Sequence, residues 1–135
     1  PVRRHLVNGQ SLTLPDGRVI DADQVLGPQR PGAKLVHVGD AGRVDDIFDY
    51  VLDADALVVE ATYLSHEADL ARQFGHLTAA QAARLACDAN VRRLFLTHIS
   101  RRYREKDVQA EATAIFPNTT VARDFDHIRV AKEKS

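Results

Sequence analysis

Three short apolar runs, each followed by a helical pattern, constrain the fold of this chain more than any other feature. The runs occupy residues 34–38, 56–59 and 93–97. Their length and their aliphatic content are typical of buried strands. After the first run, apolar side chains recur at helical spacing in Val44, Ile47, Phe48, Val51 and Leu52. Strands that alternate with helices in this way predict an α/β fold with a largely parallel sheet.

The other helical signals lie in the second half of the chain. Thr78 and Gln81 have the spacing of a capping box, which predicts a helix that runs to about Asn90. The remaining expected elements are a short helix over residues 65–73, a helix that ends before Pro117, and two closing strands at residues 121–122 and 128–130.

The first third of the chain is poor in helical signals. Two short apolar runs flank Pro15-Asp16-Gly17, a turn-forming tripeptide that predicts a hairpin. Gly27-Pro28 then begins a segment rich in proline and glycine, which favours a rigid connector. We therefore expect a connector and hairpin over residues 1–33, followed by an α/β body over residues 34–135.

The chain has 135 residues, 44% apolar and 27% charged, which is typical of one ordinary globular domain or of a piece of a larger one. A single cysteine, Cys87, excludes a disulfide framework, and no apolar run has the length of a membrane span, so we expect a cytoplasmic protein. The net charge of −1 gives no overall case for nucleic acid. Residues 92–106, however, hold six basic residues and one acidic one. Two interpretations stay open for this segment, a phosphate-binding patch beside His98 or a solvated rim of loops.

A polar residue follows or ends each of the three predicted strands. Because the carboxyl ends of parallel strands meet at one edge of a sheet, Asp40, Glu60 and His98 should converge there. The carboxylate of Asp40 and the imidazole of His98 are typical metal ligands. Glu60 is better placed to orient an imidazole or to carry a proton, with His76 as its expected partner. A histidine can donate a proton to a leaving oxyanion near neutral pH.

The residues alone leave a simpler interpretation open. An aspartate after a strand-ending glycine is usually a turn former, and a single loop histidine is usually a hydrogen-bonded surface residue. For Asp40, His76 and His98 the spacing favours neither interpretation. The simpler one is assigned to the other histidines, His5, His37, His66 and His127.

Five short motifs together resemble a known family. They are Gly39-Asp40, Val59-Glu60-Ala61-Thr62, Gly75-His76-Leu77-Thr78-Ala79, Leu96-Thr97-His98-Ile99-Ser100-Arg101-Arg102-Tyr103 and Phe116-Pro117-Asn118-Thr119. Their order and gaps are similar to those of ribonuclease Z, the tRNA 3′-end endonuclease of the metallo-β-lactamase superfamily. The resemblance extends from about Leu12 to Asp124. It implies an α/β fold that forms the C-terminal half of a metallo-β-lactamase-type αββα sandwich.

The resemblance also implies roles for particular residues. Asp40 would bridge two zinc ions and His98 would ligate one of them, although other divalent metals are possible. Glu60 and His76 would deliver a proton to the leaving 3′ oxygen of a precursor tRNA. The family tends to form homodimers. The residues that would face the RNA backbone near the cleavage point are Ser100, Arg102 and Tyr103.

The chain departs from the family pattern in several respects. The family's His-x-His-x-Asp-His motif and a further histidine ligand are absent. Ala41 stands where the family has threonine, and Val59 stands where it usually has histidine. Because catalytic zinc sites usually have three protein ligands, we expect that the isolated chain lacks half of the metal site and is inactive. The missing N-terminal half would then be a required partner.

Three functions stay open at this point. The first is part of a zinc-dependent endoribonuclease that matures the 3′ end of precursor tRNA. The second is another metallo-β-lactamase-fold phosphodiesterase with a smaller substrate, which the departures at Ala41 and Val59 allow. The third is a non-catalytic module that binds RNA or mediates dimerisation.

Overall fold

The computed structural model describes residues 2–28 and 31–132 of the chain. The chain divides into two compact units, Pro1–Pro31 and Gly32–Ser135, which are described separately here. No helix among the described residues is both long enough and apolar enough to cross a membrane.

The first unit holds two short helices and a hairpin. The strands β1 (Leu12–Thr13) and β2 (Val19–Ile20) pair in antiparallel fashion, so the hairpin predicted around Pro15-Asp16-Gly17 is present. Gly17 occupies the turn with a φ of 83°, which a residue without a Cβ adopts at no steric cost. The helices α1 (Val2–Val7) and α2 (Ala22–Val25) were not predicted, because this region is poor in helical signals.

The second unit is built on a parallel sheet with the strand order β3-β4-β5-β6. The strands are β3 (Leu35–His37), β4 (Ala56–Glu60), β5 (Leu94–Thr97) and β6 (Thr119–Val121). The helices are α3 (Phe48–Val51), α4 (Ala68–Phe74), α5 (Ala79–Asp88) and α6 (Glu105–Thr113), and a 3-10 turn over Ser65–Glu67 precedes α4. The predicted α/β architecture with a parallel sheet is confirmed. All four strands therefore end at the same edge, which is called the carboxyl edge below.

The core of this unit lies between one face of the sheet and the longer helices. Leu57 and Val59 of β4 and Leu94 and Leu96 of β5 are fully buried in it. Alternate residues of a strand point to opposite faces, so these four side chains share one face. The helices contribute mainly small side chains that allow close approach to the sheet, namely Ala79, Ala82, Ala83 and Ala86 of α5 and Ala112 of α6.

The predicted capping box at the start of α5 is confirmed. Thr78 Oγ1 accepts a hydrogen bond from the Gln81 amide at 3.1 Å, and Gln81 Oε1 accepts one from the Thr78 amide at 2.9 Å. These two bonds satisfy amides that have no partner within the helix. The loop before α5, which contains His76, is thereby joined rigidly to the helix.

Two predicted elements differ from the structure. The helical spacing from Val44 to Leu52 yields only one helical turn, Phe48–Val51, because residues 45–47 form hydrogen-bonded turns instead. The strand predicted at residues 128–130 is absent, because these residues lie beyond β6 and have no regular secondary structure. There, the backbone carbonyl of Arg129 accepts a hydrogen bond from Arg93 Nη1 at 3.3 Å.

Candidate metal and catalytic site at the carboxyl edge

The carboxyl edge brings Asp40 and His98 into direct contact. Asp40 lies just beyond the end of β3 and His98 just beyond the end of β5. His98 Nδ1 is 3.1 Å from Asp40 Oδ1, and both side chains are more than half exposed. His98 has a φ of 55°, in the left-handed region that is uncommon for a residue with a side chain. Backbone conformations of this kind cluster at functional sites.

His76 reaches the same edge from the loop between α4 and α5. Gly75 ends α4 with a φ of 72°, and the His76 amide then donates to the Ala71 carbonyl at 2.8 Å. This αL ending turns the chain back toward the sheet. The centroids of the His76 and His98 rings are 5.3 Å apart. Asp40, His76 and His98 each offer a ligand atom, and these atoms all lie within 4.8 Å of one another.

Glu60 lies beneath this cluster with an exposed fraction of 1%. Its Oε1 accepts hydrogen bonds from the Leu77 amide at 2.6 Å and from the Ala41 amide at 3.3 Å. The same oxygen is 3.4 Å from His76 Nδ1. A buried carboxylate needs such donors, because charge removed from water is costly unless it is hydrogen-bonded. Glu60 therefore ties the segments that carry Asp40 and His76 to the end of β4.

Thr62 links Glu60 to both imidazoles, a role that the sequence did not reveal. Its hydroxyl donates to Glu60 Oε2 at 2.7 Å and lies 3.0 Å from His98 Nδ1 and 3.3 Å from His76 Nδ1. A carboxylate only accepts hydrogen bonds, so the hydroxyl proton points to Glu60 and the oxygen accepts from the rings. This network places a proton on Nδ1 of each ring and leaves Nε2 of His98 available to ligate a metal.

The donor set of the cluster suits a divalent transition metal. Two imidazole nitrogens and one carboxylate oxygen are ligand types that zinc accepts, and other first-row divalent ions use them too. The hydrogen bond from an imidazole Nδ1 to an oxygen acceptor is the usual way in which proteins orient such a ligand. The residues present therefore fit a metal ion.

The residues expected to face RNA form a network of their own next to the cluster. The Ser100 amide donates to the Thr62 carbonyl at 3.3 Å, which joins this segment to the residue that contacts both imidazoles. Arg102 Nη1 donates to Glu67 Oε1 at 2.9 Å, and the Tyr103 hydroxyl donates to Glu67 Oε2. Glu67 lies at the end of the 3-10 turn and was not recognised in the sequence.

The basic residues of the segment 92–106 do not form one patch, which corrects that interpretation. Residues 92–93 precede β5 and residues 101–106 follow it, so the strand separates them to opposite edges of the sheet. Nearby carboxylates also reduce the positive charge of this segment. Arg102 is paired as described above, and Arg104 pairs with Asp107 at 2.8 Å.

The two positions that depart from the ribonuclease Z pattern differ in their surroundings. Ala41 is buried and contributes its backbone amide to Glu60, which a residue of any type other than proline could do. Val59 is fully buried in the core, on the face of β4 opposite to Glu60.

A comparison with known protein families identifies the family of this chain. The model of the beta-lactamase superfamily domain matches residues 24–99, which is more than half of the chain. The chain belongs to the beta-lactamase superfamily. Membership of this superfamily implies a metal cofactor, which agrees with the donor set at the carboxyl edge. The predicted superfamily and α/β fold class are confirmed.

Curated relatives bear the name ribonuclease Z. The protein from Bradyrhizobium diazoefficiens is 50% identical over 130 residues, which cover 96% of this chain and 43% of that protein. The protein from Brevibacillus brevis is 41% identical over 142 residues, which cover all of this chain and 45% of that protein. The predicted resemblance to ribonuclease Z is thus confirmed. The chain spans less than half the length of these relatives.

Solved structures agree on the fold. The metallo-beta-lactamase fold protein YhfI from Bacillus subtilis superimposes with a TM-score of 0.63 at 21% identity, covering 78% of this chain and 40% of that one. The short form of human tRNase Z superimposes with a TM-score of 0.58 at 27% identity, covering 83% of this chain and 35% of that one. The parallel sheet and its helices therefore form part of a metallo-beta-lactamase fold.

Proposed function

We propose that this chain is part of a zinc-dependent endoribonuclease that hydrolyses a phosphodiester to mature the 3′ end of precursor tRNA. Asp40 and His98 are assigned as metal ligands, and Glu60 and His76 as the pair that delivers a proton. The residues assigned to the RNA backbone are Ser100, Arg102 and Tyr103. The ribonuclease Z relatives, which match nearly the whole chain, support the proposed activity.

The main observation in support of the proposal is that two pairs of residues are in contact at the carboxyl edge. The Asp40–His98 pair and the Glu60–His76 pair share Thr62, whose hydroxyl reaches Glu60 and both rings. Turn-forming or surface roles would not require a buried carboxylate beneath two imidazoles and an aspartate. A hydrolase needs this combination of ligands beside a proton donor.

Each residue then has a chemical task. A bound divalent metal supplies Lewis acidity for hydrolysis of the phosphodiester. Asp40 and His98 hold it, and the hydrogen bond from His98 Nδ1 keeps Nε2 in the ligating tautomer. Glu60 Oε1 lies 3.4 Å from His76 Nδ1, and the Thr62 hydroxyl lies 3.3 Å from the same nitrogen, so both side chains orient the His76 ring. His76 donates a proton from Nε2 to the leaving 3′ oxygen of the RNA.

A complete two-metal site needs more ligands than Asp40 and His98 provide. We assign the additional ligands to a His-x-His-x-Asp-His segment and a further histidine elsewhere in the natural protein, since the chain spans 43% of a ribonuclease Z relative. On this assignment the isolated chain does not cleave tRNA. A homodimer, expected from the family resemblance, and a cytoplasmic location, expected from the single cysteine, complete the proposal.

The test compares two substrates on the natural full-length protein. We expect endonucleolytic cleavage of a precursor tRNA just beyond its mature 3′ end, with loss of activity after chelation and recovery with zinc. Bis(p-nitrophenyl) phosphate serves as the small phosphodiester. Efficient hydrolysis of that compound without tRNA cleavage would identify a different phosphodiesterase. Binding of tRNA with no hydrolysis of either substrate would identify a non-catalytic module.

A further inference from the structure

Glu67 uses both of its carboxylate oxygens on the segment assigned to RNA. Oε1 accepts from Arg102 Nη1 at 2.9 Å, and Oε2 accepts from the hydroxyl of Tyr103. The Glu67 side chain is 25% exposed, whereas that of Arg102 is 56% exposed. The carboxylate is thus the more buried partner, and the guanidinium above it remains open to solvent. A guanidinium has five N–H donors, so this bond leaves others available for a phosphate.

The position of Glu67 is itself fixed by a second carboxylate. Glu111 of α6 accepts hydrogen bonds from the amide of Ser65 at 3.1 Å and from its hydroxyl at 2.6 Å. It also accepts from the Ala80 amide in the first turn of α5, at 3.1 Å. Because Ser65 begins the 3-10 turn that Glu67 ends, these bonds hold the turn against α5 and α6.

The phenol of Tyr103 is restrained from a second side. The His66 ring meets it edge to face, with centroids 5.8 Å apart and an interplanar angle of 87°. The Tyr103 amide also donates to the Ser100 carbonyl at 3.1 Å. The side chains of Arg102 and Tyr103 are therefore held by one turn that contributes no residue to the metal cluster.

We propose that Glu67 is a positioning residue that holds the Arg102 guanidinium in the orientation needed to bind the RNA backbone, with the Tyr103 hydroxyl fixed beside it on the same carboxylate. This inference rests on the proposed function. An arginine side chain has many rotamers, and a bidentate phosphate contact requires one of them. Glu67 selects that rotamer before the RNA arrives. Pre-organisation of this kind lowers the ordering cost of binding.

Glu67 is expected to weaken one contribution to RNA binding and to strengthen another, so its removal can be tested with two different RNAs. Its negative charge weakens the general attraction of this surface for any polyanion. Its hydrogen bonds strengthen the oriented contact with the correct substrate. Removal of Glu67 should therefore impair recognition of precursor tRNA while leaving the binding of an unstructured oligonucleotide unchanged or slightly tighter. A residue that served only to stabilise the fold would weaken both.

The experiment measures kcat and KM for precursor tRNA cleavage by the natural full-length protein, with Glu67→Ala and Glu67→Gln. For Glu67→Ala we expect KM to rise about tenfold with kcat changed less than about twofold, as expected when uniform binding is lost. Glu67→Gln keeps an acceptor oxygen and should recover part of the loss. Affinity for a twelve-residue oligouridylate, measured by fluorescence anisotropy, should not fall. Glu105→Ala is the matched control, because the ion pair of Glu105 is with Arg123, at 2.8 Å, and not with Arg102.

A double-mutant comparison isolates the positioning role. In a protein that carries both Arg102→Ala and Tyr103→Phe, adding Glu67→Ala should change KM less than about twofold, because its partners are gone. A full tenfold effect in that background would overturn the proposal, as would an unchanged KM in the single variant. If the unaltered protein fails to cleave precursor tRNA, the proposed function itself is wrong and this inference fails with it.

Discussion

Replacing Glu60 with alanine should destabilise the chain severely, even though Glu60 is a charged residue. The Glu60 carboxylate accepts hydrogen bonds from three backbone amides and one hydroxyl, contributed by Ala41, Thr62 and Leu77. Ala41 and Leu77 are buried, so water cannot replace the lost acceptor easily. Each buried donor left without a partner costs about 1–3 kcal/mol. With two such amides and a partly buried third, we expect the free energy of unfolding to fall by about 3–5 kcal/mol.

Glu60→Gln gives a graded comparison. The glutamine oxygen can still accept from Ala41 and Leu77, but its NH2 group then faces the Thr62 amide, which is also a donor. We expect this variant to lose about 1–2 kcal/mol, less than the alanine variant. A matched surface control is Glu105→Ala, because Glu105 is exposed and forms its ion pair with Arg123 outside the core. Its unfolding free energy should change far less than that of either Glu60 variant, because an exposed ion pair contributes little to stability.

The assay is urea unfolding of the chain at pH 7, followed by far-ultraviolet circular dichroism, with linear extrapolation to water. The expected order of stability is the unaltered chain, then Glu60→Gln, then Glu60→Ala. A loss below about 1 kcal/mol for Glu60→Ala would refute the reasoning, since it would mean that the amides around the carboxylate have other acceptors.

Three further predictions concern stability and can be measured in the same way. Leu57→Ala, at a fully buried position, should cost about 2–5 kcal/mol, and a loss under about 1 kcal/mol would contradict the packing described. Thr78→Ala removes the acceptor for the Gln81 amide and should cost about 1 kcal/mol, with Thr78→Ser near neutral. The hydrogen bond from the Lys34 amide is the main cause that holds the pKa of Asp55 below its ordinary 3.8. Ionised Asp55 therefore stabilises the fold above pH 3.8. This contribution is lost as the pH falls through the lower pKa that Asp55 has in the folded chain. The variant Asp55→Asn should therefore show a smaller fall in unfolding free energy as the pH is lowered.

The sheet and one of its edges could be predicted from the sequence because the signals are local. Buried strands of a parallel sheet are continuous apolar runs, and three such runs gave β3, β4 and β5 within one or two residues. The residues that follow them had to converge if the sheet was parallel. Asp40 and His98 are indeed in contact, with Glu60 at the end of the strand between them.

Other features could not be predicted because they depend on distant partners. Thr62 is one small hydroxyl in a loop, and its contact with His98 spans 36 positions of the sequence. Glu67 bonds to Tyr103 across the same separation. The six-residue helix α1 is too short to show a periodic pattern, and Ile128 looked like part of a strand although it is exposed and forms no ladder.

The central claim is that the cluster at the carboxyl edge is the hydrolytic site of a tRNA-processing enzyme. The most direct measurement is the single-turnover rate of precursor tRNA cleavage by the natural full-length protein and by its Asp40→Ala variant. His127→Ala is the control, because His127 is exposed and lies outside the cluster. We predict that Asp40→Ala lowers the rate by about a thousandfold while His127→Ala leaves it unchanged. Cleavage by Asp40→Ala at the rate of the unaltered protein would contradict the account.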